Sequence, residues 1–251
     1  MRVAALYDIH ANLPALEAVL EDVRKAAVDL VVVGGDVLPG PMPRESLDRL
    51  LALDIPVQFI HGNGDRVVLA QMAGKEISEV PEPYREVIRW TAGQLRPEDE
   101  RLLTGWPSSC RVVIDGLGEV LFCHATPRND TECFTRMTSE ERLAPVFAGV
   151  NAAVVVCGHT HMQFDRMVGN VRVVNAGSVG MPFAPPPGAH WLLLGPGPDV
   201  ALRHTDYDLA TAAAAIRATK FPQLEQLAVR YVLQPPSEAD TLTMFAAAEL
   251  K

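Results

Sequence analysis

The sequence predicts an α/β fold in one domain, with two sheets packed between helices. Three observations carry that expectation. Short apolar runs that fit buried strands alternate with amphipathic helical stretches through the first half of the chain. Paired strand-like runs joined by glycine-containing turns dominate the second half. Neither an internal repeat nor a linker-like segment separates the halves.

In chain order, VAALY (3–7) reads as a buried strand, and LPALEAVLEDVRKAA follows as a helix. Leu13, Leu16, Leu20, Val23 and Ala27 form one stripe on it, with Pro14 tolerated in the first turn. LVVVGG (30–35) is a second strand. Pro43 then opens a helix carrying Leu47, Leu50 and Leu51, and VQFI (57–60) is a third strand. A βαβαβ order of this kind predicts a parallel sheet. Residues 66–105 read as mostly helical, punctuated by Pro81, Pro83 and Pro97, with Glu98, Asp99 and Glu100 in the first turn of a helix. RVVID-GLG-EVLFC and QFDRMV-GN-VRVVN read as hairpins, and HWLLL-GPGP-DVALRHT as two further antiparallel strands. An Ala-rich amphipathic helix over 208–230 is expected to close the fold. The domain is expected to span 1–235, with 236–251 as a tail or docking helix.

Composition bounds the function. A formal net charge of −9 argues against a broad surface for nucleic acid or anionic membrane. It leaves room for a small phosphorylated substrate, nucleotides included, where bound cations reverse the local field. No apolar run reaches the ~18 residues of a spanning helix, and the N-terminal residues lack the pattern of a signal peptide. Cys110, Cys123, Cys133 and Cys157 show no C-x-x-C spacing, which fits buried small hydrophobes in a reducing compartment, the cytoplasm.

The chemistry lies at the strand ends. Asp8-Ile9-His10, Gly35-Asp36, Gly62-Asn63-Gly64-Asp65, His124 and Gly158-His159-Thr160-His161 each follow an apolar run. Loops beyond the carboxyl ends of parallel strands are where such sheets present reactive groups. Two Asp, four His and one Asn delivered together suit a pair of divalent cations and metal-assisted hydrolysis.

The order D-x-H, G-D, G-N-x-D, H, G-H-x-H resembles the calcineurin-like metallophosphoesterase superfamily. The strings DIHANLPALEAVL, GGDVLPGPMPRE, HATPR and NAGSVGMP resemble its bacterial YfcE-like phosphoesterase branch. The likeness implies a four-layer α/β/β/α sandwich of two mixed sheets around a dinuclear centre. It assigns Asp8, His10 and His161 to one metal, Asn63, His124 and His159 to the other, and Asp36 to both, holding a bridging hydroxide. Manganese or iron is expected ahead of zinc. Asn12 and Arg128 become candidate phosphate contacts beside Asn63.

One departure matters. The family motif usually reads G-N-H-D, and Gly64 replaces its His, the residue commonly given to protonating the leaving group. No protein general acid is therefore assigned; His61, His190 and His204 are the histidines left to substitute. Asp65 is expected to cap a helix or support the ligands. Ser178, within NAGSVG, has no triad partners and is expected to serve backbone geometry. The expected activity is hydrolysis of phosphate esters, diesters favoured. A non-catalytic interaction module on the same fold, or a protein or nucleotide phosphatase, are the alternatives.

Overall fold

Strand β1 (Val3–Leu6) is buried on both faces, so its alternation sorts side chains between two cores. In the computed structural model, which describes residues 1–75, 77–78, 80–197 and 199–250, β1 lies at the centre of a five-stranded sheet. Its parallel neighbour is β2 (Leu30–Val33), which pairs with β3 (Val57–Phe59). On the other side β9 (Ala189–Leu194) runs antiparallel to β1 and pairs with β10 (Val200–Thr205). The second sheet has the order β4 (Ser109–Ile114), β5 (Gly118–Cys123), β6 (Val154–Cys157), β8 (Val171–Asn175), β7 (Phe164–Val168). Strands β5, β6 and β8 are parallel, and β4 and β7 close the edges antiparallel.

The four layers follow from period-2 alternation. Val3, Ala5 and Tyr7 pack with Val120, Phe122, Val154 and Val156 between the sheets. The Tyr7 hydroxyl donates to the Val156 carbonyl at 3.0 Å, so a phenol buried there is satisfied. Ala4 and Leu6 face the other way, against Leu16, Val19 and Leu20 of α1 (Leu13–Lys25) and Leu47 and Leu50 of α2 (Pro43–Leu51). On the far side Leu121, Val155 and Val173 pack with Leu143, Val146 and Phe147 of α6 (Glu140–Phe147). Leu51 faces solvent, and Ala27 lies just beyond α1 at φ +50°, so neither joins its expected stripe.

Residues 66–105 divide as the prolines predict, into α3 (Asn63–Met72), α4 (Glu82–Gln94) and α5 (Pro97–Thr104). Both hairpins form at the expected turns, with Gly169 at φ +57°. The expected single helix over 208–230 is corrected to three pieces: α7 (Leu209–Arg217), a π-helical turn (Glu225–Val229) and α8 (Arg230–Leu233). Pro222 lies in the gap; it has no N–H to donate and its ring crowds the preceding turn, which disfavours one helix running through it. Helix α9 (Glu238–Ala248) follows. Among the described residues no helix is long and apolar enough to cross a membrane.

Candidate metal centre

Five loops converge at the carboxyl ends of β1, β2, β3, β5 and β6, and those after β1, β2 and β6 open with an abrupt change of backbone direction. Asp8, His10, Asp36, His159 and His161 all adopt the left-handed region, at φ +52°, +45°, +52°, +65° and +57°. Asp and His tolerate that region better than most residues, yet each such turn carries a steric cost that the surroundings must hold in place. These turns separate His159 from His161, which a plain strand would point to the same side.

Each imidazole is fixed at one nitrogen by a main-chain carbonyl. Nδ1 of His10 donates to Pro39 at 3.2 Å, Nδ1 of His124 to Gly34 at 3.0 Å and Nδ1 of His161 to Met181 at 2.6 Å. His159 is turned the other way, its Nε2 donating to Thr131 at 3.2 Å. The opposite nitrogen of every ring then carries a lone pair, and those lone pairs face inward. Nε2 of His10 and Nε2 of His161 are 3.2 Å apart, and Asp8 Oδ1 lies 3.2 Å from the latter. Two lone pairs and a carboxylate oxygen meeting at that distance repel unless a cation sits among them. Asp8 Oδ1 is fully buried and has no hydrogen bond, which marks the same spot.

A second convergence adjoins the first. His124 Nε2 lies 3.5 Å from Asp36 Oδ1 and 3.9 Å from Asp8 Oδ1. The near end of the Asn63 amide is 3.1 Å from His124 Nε2, 2.9 Å from His159 Nδ1 and 3.1 Å from the Asp130 carbonyl. As an amino group it would donate to these acceptors; as an oxygen it would join them as a fourth donor to a cation. Asp36 offers an oxygen to each side, Oδ1 toward His124 and Oδ2 at 3.8 Å from His10. The groups Asp8–His10–His161 and Asp8–Asp36–His124 each bring their ligand atoms within 4.8 Å of one another. The donors of each group suit a hard or borderline divalent ion.

Electrostatics agree. Burial, then the neighbouring Asp8, holds the Asp36 carboxyl well above the usual carboxylate range. Burial pushes His10 and His159 down to about 3, with His161 and His124 respectively adding to the shift, so both rings are neutral ligands at physiological pH. Asp65 is pushed up to about 7 by burial and by Asp36.

Several side chains support these loops. Asp65 sits in the first turn of α3, and its two oxygens accept from the backbone of Asp36 (2.8 Å), Leu38 (2.9 Å) and Gly62 (3.0 Å), tying two ligand loops together. Asn175 donates to the Gly158 carbonyl at 2.7 Å, and Ser178 donates to the Asp8 carbonyl at 2.7 Å, bracing the loops after β6 and β1. Cys133 Sγ lies 3.4 Å from His159 Nε2. Only the strings around Asp65 and Ser178 carried a signal for such roles.

Of the candidate phosphate contacts, Asn12 lines the adjoining cavity, but its amide caps α1 at Ala15 (3.3 Å) and donates to the Gly180 carbonyl (2.9 Å). Arg128 is not part of the cavity wall; its guanidinium forks onto Glu132, Nε at 2.8 and 2.9 Å. His190 and His204 stack edge-to-face at 5.1 Å, each bonded to a proline carbonyl, and His61 faces Asp130 at 3.9 Å. None of these three histidines lines the cavity.

The family model for the calcineurin-like phosphoesterase superfamily domain matches residues 1–194. The chain belongs to that superfamily. Among solved structures, a metallophosphoesterase from Sphaerobacter thermophilus superposes with a TM-score of 0.72 at 26% identity, covering 93% of this chain and 98% of its own. A hypothetical protein from Pyrococcus horikoshii gives 0.75 at 22% identity, covering 88% and 94%, and so shares the fold. An uncharacterised protein of Methanocaldococcus jannaschii is 28% identical over 197 residues, 72% of this chain and 76% of that one. The calcineurin-like family binds divalent metals, and all five convergent loops fall inside the matched residues.

Proposed function

We propose that this calcineurin-like chain is a dinuclear metal-dependent phosphoesterase that favours diesters and good leaving groups. The observation that carries the proposal is the inward convergence of imidazole lone pairs and carboxylate oxygens, every imidazole fixed on a carbonyl at its other nitrogen. Asp8, His10 and His161 would hold one ion, Asn63, His124 and His159 the other, and Asp36 both. Two such ions supply Lewis acidity toward phosphoryl oxygens and a water acidic enough to attack at neutral pH.

The chain's own groups set the substrate preference. Asp36 is held by the Gly64 N–H at 2.7 Å, so the donor set is built before substrate arrives. His10, the one imidazole lining the cavity among the described residues, is neutral with its Nδ1 proton committed to Pro39. A departing alkoxide therefore finds no imidazolium to protonate it. General-acid help is worth roughly 10²–10⁴ in rate, so esters with acidic leaving groups should suffer least from its absence. A diester also carries less charge than a monoester and asks less of cations outside the centre.

The test loads the purified chain with Mn²⁺ and compares kcat/KM for bis-p-nitrophenyl phosphate, p-nitrophenyl phosphate and an alkyl monoester. Two metals per chain and the order diester, aryl monoester, alkyl monoester are expected. Asp36→Asn should lower metal affinity by more than the roughly 10–100-fold typical of outer-shell partners. A folded, metal-loaded chain that hydrolyses none of the three, or that prefers the alkyl monoester, would overturn the proposal.

A further inference from the structure

The geometry points to a substrate whose organic group is apolar and ring-sized, housed in a lobe roofed by the C-terminal residues 209–233. The inference rests on the phosphoesterase reading for the position of the phosphorus. A cavity of about 430 Å³ opens from the metal edge, where His10, Asp36 and Asn63 line it. That volume lies within the ~300–1,000 Å³ usual for small-molecule sites. Away from the metal edge its wall turns apolar: Tyr84 and Ile88 from α4, Ile216 from α7, and Phe221, Tyr231 and Val232.

Phe183 joins the two regions. Its ring centroid is 4.3 Å from that of His161 and 5.2 Å from that of Tyr231, so aromatic faces run continuously from a candidate metal ligand into the lobe. The roof is anchored to α4: Trp90 meets Phe221 edge-on at 5.4 Å, and Gln223 donates to the Pro83 carbonyl at 2.8 Å. It lies beyond the residues matched by the family model, which end at 194.

Charge narrows the ligand class. Among the described residues lining the cavity, Arg66 is the one permanent cation, and its guanidinium is forked onto Asp130 at 2.7 and 3.2 Å. A second phosphate or a carboxylate on the organic group would enter the lobe without a counter-charge, a costly burial. An uncharged aryl or compact hydrocarbon group would replace water against aliphatic and aromatic walls.

The experiment measures binding of phosphonates, whose C–P bond is not hydrolysed, to the Mn²⁺-loaded full chain by calorimetry. Phenylphosphonate should bind roughly tenfold or more tightly than methylphosphonate, the discrimination expected of a hydrophobic pocket, and tighter than a nucleoside 5′-phosphonate. In Tyr84→Ala and Tyr231→Ala the phenyl-to-methyl ratio should fall at least threefold; Tyr84 is half exposed, so its truncation leaves the fold intact. In parallel, phenyl and methyl p-nitrophenyl phosphates, which share a leaving group, are compared for turnover. Equal phosphonate affinities, tighter nucleoside binding, or ratios unchanged in both variants would remove the lobe as a subsite. A phenyl preference in binding with no turnover of either ester would leave the lobe standing and sink the phosphoesterase reading. Failure of every phosphonate to bind would sink both.

Discussion

Gly64 occupies a position where a side chain has nowhere to go. A Cβ built there falls well inside contact distance of the Leu38 carbonyl oxygen and 3.0 Å from both Asp36 Oδ1 and Pro39 Cδ. The Gly64 N–H is meanwhile spent on Asp36. The glycine therefore does more than omit an acid: it lets the segment 37–40 close against a ligand loop. Restoring a histidine there would push backbone, so Gly64→His does not cleanly test the missing acid. Gly64→Ala should destabilise by about 1–3 kcal/mol, the usual cost of overpacking, and should weaken Mn²⁺ binding by disturbing Asp36. Thermal melts and metal titration of the variant check this; a change under about 0.5 kcal/mol, within the ordinary range for surface substitutions, would refute the close-approach account. The side chains that converge at the candidate centre were legible because their residue types and order are constrained by the chemistry. The partners of the braces were not, because Asp65 and Asn175 act on main-chain groups, and nothing in a sequence says which N–H or carbonyl will lie nearby.

At the scale of elements, alternation and turn residues were enough to place both hairpins and the parallel strands, since period-2 burial and a glycine at positive φ are local properties. The break in the C-terminal helical segment was missed because the Ala-rich stretch before Pro222 and the apolar spacing after it outweighed the proline. The aromatic lobe was unreadable for a different reason: Tyr84, Phe183, Ile216 and Tyr231 meet only through tertiary packing. The segment 175–178 shows how an element end can serve the site without chemistry of its own. Ser178 Oγ donates to the Asp8 carbonyl at 2.7 Å and accepts from Met181 N–H at 2.8 Å, strapping the Asp8 loop to the segment that follows β8. Ser178→Ala should cost about 1–3 kcal/mol for the buried groups left unpaired. With metal saturated it should retain kcat within about tenfold, since this serine is a brace. A fall of 10³ or more in a folded, metal-loaded variant would instead identify it as a nucleophile.

Across the whole molecule, the fold is a frame that forces like-charged and lone-pair-bearing groups together, which makes its stability depend on what they hold. The chain already carries a formal net charge of −9, and the buried carboxylates of Asp8, Asp36 and Asp65 lie together at the candidate centre. Cations that bind the folded chain alone stabilise it by mass action, by about 2.7 kcal/mol at a hundredfold excess over Kd. At 2–4 °C per kcal/mol for a domain this size, chelation should lower Tm by roughly 5–10 °C. Protons compete for the same groups, and the sign follows from the shifts. Burial holds the Asp36 carboxyl well above the usual carboxylate range, and Asp65, at about 7, carries a proton at pH 6 without cations. Metal favours the ionised Asp36 and relieves its repulsion of Asp65, so loading favours proton loss from both. His10 and His159, at about 3, are already deprotonated and add nothing above pH 5. Mn²⁺ affinity should accordingly be weaker at pH 6 than at pH 8, with proton release measurable in weakly buffered titrations at pH 6. The Asp65 share should vanish as pH rises past about 7, and Asp65→Asn should abolish it at every pH. Affinity that tightens on acidification, or Mn²⁺ uptake at pH 6 without proton release, would mean that these carboxylates do not meet the cations.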